Sequence, residues 1–454
     1  MKKILGLLLL VLALPVLADA PEWETAYGEV ESAIKAPTFA SRDYVITRFG
    51  AKTDATAAKN QRAINKAIAQ CSKNGGGRVV VPAGEWKTGA IRLQSGVNLV
   101  VEKGATLLFV FDTNLYPLVR TRWEGMDCYN YSPCIYGENV KNVGITGDGT
   151  IDGGASNDCW WFMTGVERLG YKEGLENCKY TGSRNKLLKM VSEQIPLKER
   201  VFGKGYGLRP QLINIVSGQN ILIEGVTLLR SPFWVIHPLF CKNLTVRNVK
   251  IWNEGPNGDG CDPESCNGVL IEGCNFHTGD DCIAIKSGRN QDGRSDGRPS
   301  ENIIVRNCKM EDGHGGVVIG SEIAAGVRNV FVENCYMDSE NLDRVIRIKT
   351  NPCRGGITEN VFVRNVQVGK CGESVLKINL DYDHKEQCCR DYPPTVRNIW
   401  LEHVTCKKSD YGVLVVGLPD YDNVYGIHVK DCTFSGIRQQ TVKVTGLAHG
   451  LDLF

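Results

Sequence analysis

The sequence lacks an excess of charge of either sign, because 53 lysines and arginines stand against 51 aspartates and glutamates, a net charge of +2. Binders of nucleic acids or membrane surfaces need a long-range field from a strongly basic surface, so both classes are excluded. The 18 cysteines among 454 residues fall well below the roughly 8–10% of disulfide-held scaffolds. Most of the stability must therefore come from a packed core. Neither His-Glu-x-x-His nor a phosphate-binding Gly-Lys-Ser/Thr loop occurs, which removes two common kinds of enzyme site.

Long apolar runs are also missing after the first twenty residues. The one such run, Ile4–Leu17, follows Lys2 and Lys3 and precedes the small residues Ala18 and Ala20. This three-part layout is typical of a cleaved secretory signal peptide, and the run is shorter than the ~20 residues that span a bilayer. We therefore expect a secreted or periplasmic protein in which disulfides are permitted.

A six-residue phrase recurs along the chain, consisting of Asn or Gly, aliphatic residues at alternate positions, and a final polar residue or glycine. Successive copies start 23 to 38 residues apart. Each copy has the pattern of a short strand that ends in a corner. The period is shorter than the ~40–50 residues of a propeller blade and favours the coils of a β-solenoid. The copies begin at Asn220, Asn243, Gly268, Asn302, Asn329, Asn360, Asn398 and Gly426, and a weaker one begins at Asn142.

The predicted fold is thus all-β, with equivalent residues of neighbouring coils ~4.8 Å apart and loops inserted at the corners. The open end of such a stack needs a cap. A helix over residues 57–72 is the candidate, because it presents one apolar face formed by Ala63, Ile64, Ala67, Ile68 and Cys71. We predict a signal peptide (1–20) and one domain (21–454), which comprises an N-terminal segment with the cap (44–110), a loop insertion (156–210) and regular coils (211–436).

The cysteines divide into two groups. One group follows the phrase at a fixed position, where small buried thiols stacked in a row are expected rather than bridges. Its members are Cys274, Cys308, Cys335 and Cys432. Candidate bridges lie elsewhere, although the sequence leaves their connectivity open. These are Cys128 with Cys134, Cys159 with Cys178, Cys261 with Cys266, and the vicinal Cys388 and Cys389.

Four polar clusters depart from the repeat and lie about one coil apart, with 21 residues from Asp259 to Asp280 and 33 residues from Asp281 to His314. On a solenoid this spacing places them on one face of consecutive coils. The clusters are Asn257-Gly-Asp259, Gly279-Asp280-Asp281-Cys282, Gly313-His314-Gly315 and Arg347-Ile-Lys349.

This set of residues suits hydrolysis of a glycosidic bond. One carboxyl group must stay protonated as a general acid while another activates water or attacks directly, and adjacent carboxylates split their pKa values in that way. His314 would hold or tune the proton of an aspartate. Arg347 and Lys349 lie two residues apart on a strand, point to the same side, and suit an anionic sugar such as a uronic acid.

At these residues the chain resembles glycoside hydrolase family 28, the polygalacturonases. The resemblance runs from Tyr44 onward and is most specific at Gly279-Asp-Asp-Cys-Ile-Ala and Gly313-His-Gly-Gly-Val-Val-Ile-Gly-Ser321. It implies a right-handed single-stranded parallel β-helix that hydrolyses α-1,4-linked galacturonic acid of pectin with inversion, without cofactor or metal. By motif, Asp280 would be the general acid, Asp259 and Asp281 would activate water, and His314 would support the acid. Arg347 and Lys349 would bind the uronate carboxylate, with Tyr382 as a further match.

Two features depart from the usual pattern of that family. Position 258 is glycine where many members carry threonine or proline, which would reshape the loop at Asp259. In addition, neighbouring coils are only ~4.8 Å apart, whereas inverting glycosidases separate their carboxyl groups by ~6.5–9.5 Å. We follow the resemblance and expect inversion.

Four segments resemble bacterial exo-acting members, namely the insertion 156–210, Arg209-Pro210, Ser231-Pro-Phe-Trp234 with His237-Pro238, and Gly288–Arg298. Long loops can wall off one end of a groove and leave a pocket for a chain terminus. We therefore expect exo action by a monomer on an anionic galacturonan. Trp160, Trp161 and Trp234 would either stack on sugars or pack in the interior. Residues proposed for further substrate contacts are Arg289, Arg294, Arg298 and His237.

Three other functions remain open from the sequence. A rhamnogalacturonan or xylogalacturonan hydrolase of the same family is one, although His314 speaks against the rhamnogalacturonan branch. A pectate-type lyase would need calcium-binding carboxylates and a β-eliminating base. A non-catalytic carbohydrate-binding solenoid would bind sugar and turn nothing over.

Overall fold

The computed structural model describes residues 23–174 and 180–454. The predicted signal peptide (1–20) and Cys178 lie outside these residues. Parallel strands wind into a right-handed β-helix, which confirms the predicted fold class.

The recurring phrase forms one strand per coil, and both of its end residues adopt left-handed backbone conformations. In one coil, Asn302 has φ of 60° and Asn307 has φ of 55°. Asparagine and glycine tolerate this region, in which a β-branched residue would be strained. The first asparagines also stack, because the Asn329 amide donates to Asn302 at 3.0 Å and the Asn360 amide donates to Asn329 at 3.1 Å. The phrase therefore encodes the two corners and the register between coils.

Three long faces result from this winding, which we call sheets A, B and C. Sheet A contains the phrase. Its strands are Asp43–Val45, Gly77–Val81, Val97–Val101, Lys141–Thr146, Gln219–Glu224, Lys242–Arg247, Asn267–Glu272, Ser300–Arg306, Val327–Glu333, Ile357–Arg364, Thr395–Glu402, Val424–Lys430 and His449–Leu453.

Sheet B follows sheet A in each coil and has shorter strands. They are Gly84–Thr88, Ala105–Phe109, Thr150–Asp152, Thr227–Leu229, Lys250–Asn253, Asn275–Thr278, Lys309–Met310, Tyr336–Met337, Gln367–Val368, Thr405–Cys406 and Thr433–Phe434.

Sheet C is interrupted near residues 259–264, where isolated bridges at Cys261 and Glu264 connect its two parts. The first part contains Ile91–Arg92, Ile135–Glu138, Ile213–Val216 and Ile236–Leu239. The second part contains Ile283–Ile285, Val317–Gly320, Arg344–Lys349, Ser374–Asn379, Ser409–Val416 and Ile437–Thr445.

Two helices cover parts of this framework. Helix α1, Trp23–Ala33, lies on the outer face of sheet A, where Trp23 packs edge-on against Phe331 and Phe362. Helix α2, Ala57–Lys73, buries the predicted apolar face and contacts the first strands, as expected for a cap. The sequence analysis did not predict α1.

Residues 156–174 and 180–210 contribute no strand to sheets A, B and C, and they contain helix α3, Tyr180–Ser192. Leu187 and Val191 of α3 pack against an antiparallel hairpin formed by Leu118–Trp123 and Met126–Tyr131. A short helix α4, Asn290–Asp296, lies nearby and contacts α3. The 3₁₀ segments are Ile46–Phe49, Thr113–Leu115, Trp161–Thr164, Glu167–Leu169 and Leu197–Glu199.

The cysteines agree with the sequence analysis only in part. Cys274, Cys308 and Cys335 are buried free thiols, and Cys432 is a half-buried one, which confirms the unbridged row. The predicted bridges Cys128–Cys134 and Cys261–Cys266 are wrong, because these four thiols are free and buried. Cys388 bonds to Cys353 rather than to Cys389. The partner proposed for Cys159 is Cys178, which the structure does not describe.

Within residues 23–174 and 180–454, no helix combines the length and the apolar character that crossing a bilayer requires.

Candidate active site

The four predicted clusters meet at the start of the second part of sheet C. The backbone ladder stacks them, because the amide of Gly260 donates to the carbonyl of Asp281 at 3.0 Å and the amide of His314 donates to the carbonyl of Asp280 at 3.1 Å. Arg347 and Lys349 lie on the neighbouring strand Arg344–Lys349, which pairs in register with Val317–Gly320. The coil spacing inferred from sequence therefore brings the clusters together.

Three carboxyl groups form the centre of the site. One oxygen from each of Asp259, Asp280 and Asp281 lies within 4.8 Å of the others. Asp259 and Asp280 border a cleft of about 250 Å³, and Asp281 lies buried beside them. The other residues that line this cleft are Glu124, Arg184, Trp234, Asn257, Lys286, Arg289, His314, Ser321, Glu322, Lys349, Tyr382 and Asp383.

Asp281 is the most enclosed of the three, since its side chain is 0% exposed. The Lys349 ammonium donates to one oxygen at 2.6 Å, and the Arg347 guanidinium lies 3.5 Å from the other. Burial opposes the charge of Lys349, but the Asp281 carboxylate raises the pKa of the lysine overall. The two cations proposed for uronate binding therefore also neutralise Asp281. The Tyr382 ring covers this pair, with its centroid 5.3 Å from the Lys349 ammonium.

Asp280 is paired with His314. The imidazole Nδ1 lies 3.0 Å from the Asp280 carboxylate, and the imidazole is 53% exposed. Burial alone would raise the pKa of Asp280, but the hydrogen bond to His314 and the charge of Lys349 lower it to about 2. The same hydrogen bond raises the pKa of His314. In the unliganded cleft a proton therefore resides on the imidazole beside an ionised Asp280.

Asp259 has a different environment. Burial, followed by the negative charge of Asp280, raises its pKa to about 8. Its cationic partner is Lys286, whose ammonium lies 3.7 Å away and is 3% exposed. Lys286 also lies 3.6 Å from Asp262 and 3.3 Å from Glu322. This buried group of one lysine and three carboxyls forms the floor of the cleft.

The three clustered aspartates have the oxygen spacing of a divalent-cation site. Lys349 already binds Asp281 at 2.6 Å, and Lys286 lies within 4 Å of Asp259. Two ammonium groups in these positions would repel a metal ion and supply the positive charge that the carboxylates need. The donor set thus suits acid–base chemistry better than metal binding.

Arg289 borders the cleft, but its side chain is surrounded by acids. Its guanidinium is 2% exposed and lies 2.8 Å from Glu386, 3.1 Å from Glu124 and 3.3 Å from Glu322. These contacts fix the wall of the cleft. They also occupy the N–H groups of Arg289, so the guanidinium has no exposed donor for the expected contact with a further uronate. The wall also includes Arg184 of α3, which donates to Glu124 at 2.7 Å and lies 3.9 Å from Asp383.

His237 does not reach the cleft. It is fully buried behind Trp234, and its Nε2 lies 2.8 Å from Glu264. Burial lowers the pKa of His237, so the ring is neutral and part of the interior. The side chain of His237 therefore cannot reach a substrate in the cleft, contrary to the expectation from the sequence.

The three tryptophans divide between the two functions considered for them. Trp160 is completely buried and packs against Phe111 and Tyr116. Trp161 is partly buried and donates to the Ser231 carbonyl. Trp234 lines the cleft, with the Lys286 ammonium 4.5 Å from its ring centroid.

Arg294 and Arg298 do not line the cleft. Arg294 lies over the Tyr392 ring, and Arg298 pairs with the neighbouring Asp296. Neither side chain is placed for contact with a substrate at Asp280.

Lys286, Asp262 and Glu322 were not predicted from the sequence. Lys286 directly follows the apolar strand Ile283–Ile285, and a lysine in such a place ordinarily points to solvent. The available signal was the coil register, which pairs Lys286 with Glu264, two residues after Asp262. Glu322 follows Ser321, the last residue of the specific motif quoted above.

A parallel β-helix thus gathers three carboxyl groups, an imidazole and two buried cations at or beside one cleft, and carboxyl groups so placed are what cleavage of a glycosidic bond requires. The sequence profile of "Glycosyl hydrolases family 28" matches residues 203–449. The chain belongs to this family.

Known proteins resemble the chain along most of its length. A solved structure, the hyperthermoactive exopolygalacturonase from Thermotoga maritima, has a TM-score of 0.87 and 38% identity and covers 94% of this chain and 96% of its own. A probable polygalacturonase from Vitis vinifera is 31% identical across 68% of this chain and 57% of its own length. An exo-poly-alpha-D-galacturonosidase from Dickeya chrysanthemi is 28% identical across 79% of this chain and 62% of its own length. The chain thus spans about three fifths of the length of these two curated relatives.

Proposed function

We propose that the protein hydrolyses α-1,4-linked galacturonic acid in polygalacturonate. The observation that carries this proposal is the cluster of Asp259, Asp280 and Asp281 at one cleft, with the buried Asp281 paired to Lys349 and Arg347. The carboxyl groups supply the acid and base, and the cations supply the charge that a uronate needs. The relatives named as polygalacturonases support the substrate class.

In the proposed mechanism Asp280 protonates the leaving oxygen, while Asp259 and Asp281 activate the water. The proton for Asp280 comes from its contact with His314, whose imidazole holds it before substrate binds. When a substrate carboxylate pairs with Lys349, it offsets part of the positive charge that lowers the pKa of Asp280. Substrate binding would thereby raise that pKa and prepare Asp280 to act as an acid.

The stereochemical outcome is proposed to be inversion. The support is the family resemblance, since oxygens within 4.8 Å do not show the ~6.5–9.5 Å separation usual for inverting carboxyl pairs. Proton NMR of the first product separates the outcomes. Initial β-anomer supports inversion, and initial α-anomer contradicts it.

We further propose exo action. The hairpin, α3 and the loop around Asp383 contribute Glu124, Arg184 and Asp383 to the cleft lining, so one end is bounded by ion-paired side chains. A bounded end accepts a chain terminus and excludes a passing polymer.

Product analysis on polygalacturonate tests substrate and mode together. Release of only mono- or digalacturonate from the first time point supports exo action, and a ladder of oligomers contradicts it. No release from polygalacturonate, but release from a rhamnose- or xylose-substituted galacturonan, would reassign the substrate within the family. Products that carry a new double bond would indicate a lyase, and we expect turnover to be unaffected by a chelator.

An Asp280→Asn variant separates catalysis from binding. We expect it to lose about 10²–10⁴-fold in kcat while it still binds oligogalacturonate. Unchanged turnover would contradict the assigned acid. Binding without turnover by the unaltered protein would instead support a carbohydrate-binding solenoid.

We also propose export from the cytoplasm as a monomer. The support is the signal-peptide pattern of residues 1–20. Amino-terminal sequencing of protein recovered from the periplasm or the medium should place the first residue after Ala18 or Ala20. An intact amino terminus in the cytoplasm would contradict this, and sedimentation gives the oligomeric state.

A further inference from the structure

Asp262 is a buried carboxyl group that the mechanism above does not use. Its side chain is 0% exposed, and neither of its oxygens receives a hydrogen bond from an N–H or hydroxyl group of the residues that the structure describes. A carboxylate without donors is very unfavourable inside a protein, because no hydrogen bond replaces the hydration that it lost on burial. Asp262 must therefore be paired with a cation or carry a proton.

Lys286 does not provide a complete pairing. Its ammonium lies between three carboxyls, 3.6 Å from Asp262, 3.7 Å from Asp259 and 3.3 Å from Glu322. All three distances exceed the ~2.8 Å of a direct charge-assisted hydrogen bond. Glu322 has Arg289 as a second cation, 3.3 Å away. One lysine is thus left for Asp259 and Asp262, so one negative charge of this pair lacks a partner.

A proton on one of the two carboxyls resolves this imbalance. Burial, and then the charge of Asp259, raise the pKa of Asp262 well above its usual range, and hydrogen bonding between the two carboxyls contributes to the shift. Asp259 borders the cleft, while Asp262 lies entirely inside. The more enclosed group is the better place for the neutral form. A protonated carboxyl also has an O–H to donate, and Asp259 is the acceptor beside it.

We propose that Asp262 is a positioning residue that stays protonated and donates its O–H to Asp259, holding Asp259 ionised and directed at the cleft. The proposal deepens the proposed function, in which Asp259 activates water. Asp262 itself exchanges no atom with the substrate or the water. Asp262 keeps its proton throughout, while Asp259 accepts the proton of the attacking water and afterwards releases it to solvent through the cleft that it borders.

Other charged groups also act on this pair and must be held constant in the test. Asp280 and Asp281 raise the pKa of Asp259, whereas Lys286 and Lys349 lower it. The groups kept unchanged are Asp280, Asp281, Lys286, Lys349, His314 and Glu322.

The test compares Asp262→Asn with Asp262→Leu. Asparagine has nearly the same shape and can still donate to Asp259 through its amide, whereas leucine has no donor. We expect kcat/KM of D262N to stay within about 10-fold of the unaltered protein, and that of D262L to fall by about 100-fold or more. We also expect the acid limb of the pH profile to move to higher pH only in D262L, because Asp259 then loses the bond that favours its charged form.

Equal losses in D262N and D262L, or an acid limb in D262L that does not move, would overturn the proposal. The exposed Asp420 serves as the matched control, and D420N and D420L should match the unaltered protein in both readouts. A merely structural Asp262 would change the melting temperature in both variants without moving the limb.

A second measurement does not depend on turnover or on the folding of D262L. The infrared C=O band of a protonated carboxyl should be present near neutral pH and should disappear in D262N. If that band is absent from the unaltered protein, or persists in D262N, the proposal fails. A protein that shows the band but does not cleave polygalacturonate would refute the proposed function while leaving the protonated Asp262 in place.

Discussion

The Lys349 ammonium lies 2.6 Å from the Asp281 carboxylate, although the two residues are 68 positions apart and both side chains are buried. Asp281 comes from the loop before Ile283–Ile285, and Lys349 ends Arg344–Lys349, two strands further along sheet C. Because the coils hold these strands in register, the charge pair forms without a flexible segment. It joins the carboxyl cluster to the cationic side of the cleft.

Replacement of Lys349 by methionine should damage both stability and activity. It leaves Asp281 buried with Arg347, 3.5 Å away, as its remaining cation. Loss of one partner from a buried charge pair costs about 3–5 kcal/mol, and we expect kcat/KM on polygalacturonate to fall by about 10³-fold or more. Thermal unfolding and release of reducing ends measure the two effects.

The control for this variant is Lys309→Met. Lys309 pairs with Glu311 at 2.6 Å, the same distance, but on the exposed surface of sheet B. Exposed pairs contribute little, so its melting curve and activity should stay unchanged. Equal damage in both variants would show that the Lys349–Asp281 pair has no special function.

His314 should determine the alkaline side of the pH profile. Its hydrogen bond to Asp280 raises the pKa of the imidazole above its usual value, which is about 6.5. The imidazolium therefore persists below that raised pKa, and activity should fall as the pH rises through it. His314→Gln should lower kcat and lack this limb.

The comparison uses kcat/KM on polygalacturonate between pH 4 and pH 9, taken as about the range of folded stability. His449→Gln is the control, because His449 is exposed, pairs with Asp422 and lies in the last strand of sheet A rather than at the cleft. A His314→Gln profile with an unchanged alkaline limb would contradict the assignment.

Asp262→Asn should lose less stability than the unaltered protein as the pH rises. Burial and the charge of Asp259 raise the pKa of Asp262 well above its usual range in the folded protein, whereas an aspartate of the unfolded chain titrates at about 3.9. The folded state binds the proton more tightly, so this group stabilises the fold fully below about pH 4, and the contribution is lost as the pH rises toward the folded-state pKa. Asparagine does not titrate, so the variant should lose less stability across that window.

Urea unfolding at pH 5 and pH 8 measures this difference. The variant should gain on the order of a few kcal/mol relative to the unaltered protein between the two pH values, since each pKa unit corresponds to about 1.4 kcal/mol. Its kcat/KM should stay within about 10-fold of the unaltered protein at both. A parallel pH dependence of the two proteins would show that Asp262 titrates normally.

Glu386→Gln should loosen the wall of the cleft. The Glu386 carboxylate lies 2.7 Å from Arg354 and 2.8 Å from Arg289, and both guanidiniums are buried. Burial opposes the negative charge, but Arg289 and Arg354 lower the pKa of Glu386 overall. Its contribution to stability is therefore present above about pH 4.5, the usual glutamate range, and is lost as the pH falls below it.

We expect the variant to unfold at lower temperature near pH 7, by about 3–5 kcal/mol in stability, and to show a smaller difference at acid pH. Its products from polygalacturonate should include longer oligomers, because the bounded end of the cleft is less firmly held. Glu193→Gln, which removes an exposed pair with Lys189, is the control. Lowered stability with unaltered products would show that the Glu386 contacts stabilise the fold but do not determine the mode of attack.

The sequence predicted the coils and the catalytic clusters because both depend on local pattern. The phrase that begins at Asn302 specifies a strand and two corners within six residues, and the spacing from Asp281 to His314 equals one coil. Once the number of residues in a coil is known, the residues that stack in neighbouring coils follow from their spacing in the sequence.

Other features depend on contacts between distant loops, and these the sequence did not predict. Lys286 is buried because acids from two separate segments, one with Asp259 and Asp262 and the other with Glu322, surround it. Arg289 was expected to meet substrate, but Glu386, 97 residues later, occupies its guanidinium. Likewise Cys353 and Cys388 meet across two irregular loops, so no spacing rule relates them. The packing of α1 on sheet A joins Trp23 to residues more than 300 positions away.

The stacked asparagines of sheet A align neighbouring coils without any contribution from the active-site residues. Each amide aligns its own turn with the preceding one, so alignment is settled locally at every step and does not accumulate from one terminus. A whole turn beyond the strand Thr395–Glu402, which follows the segment with Tyr382, Asp383 and Glu386, is therefore a unit whose removal or duplication would not shift the reacting groups. The scaffold can thus change in length while the bond-cutting residues stay in place.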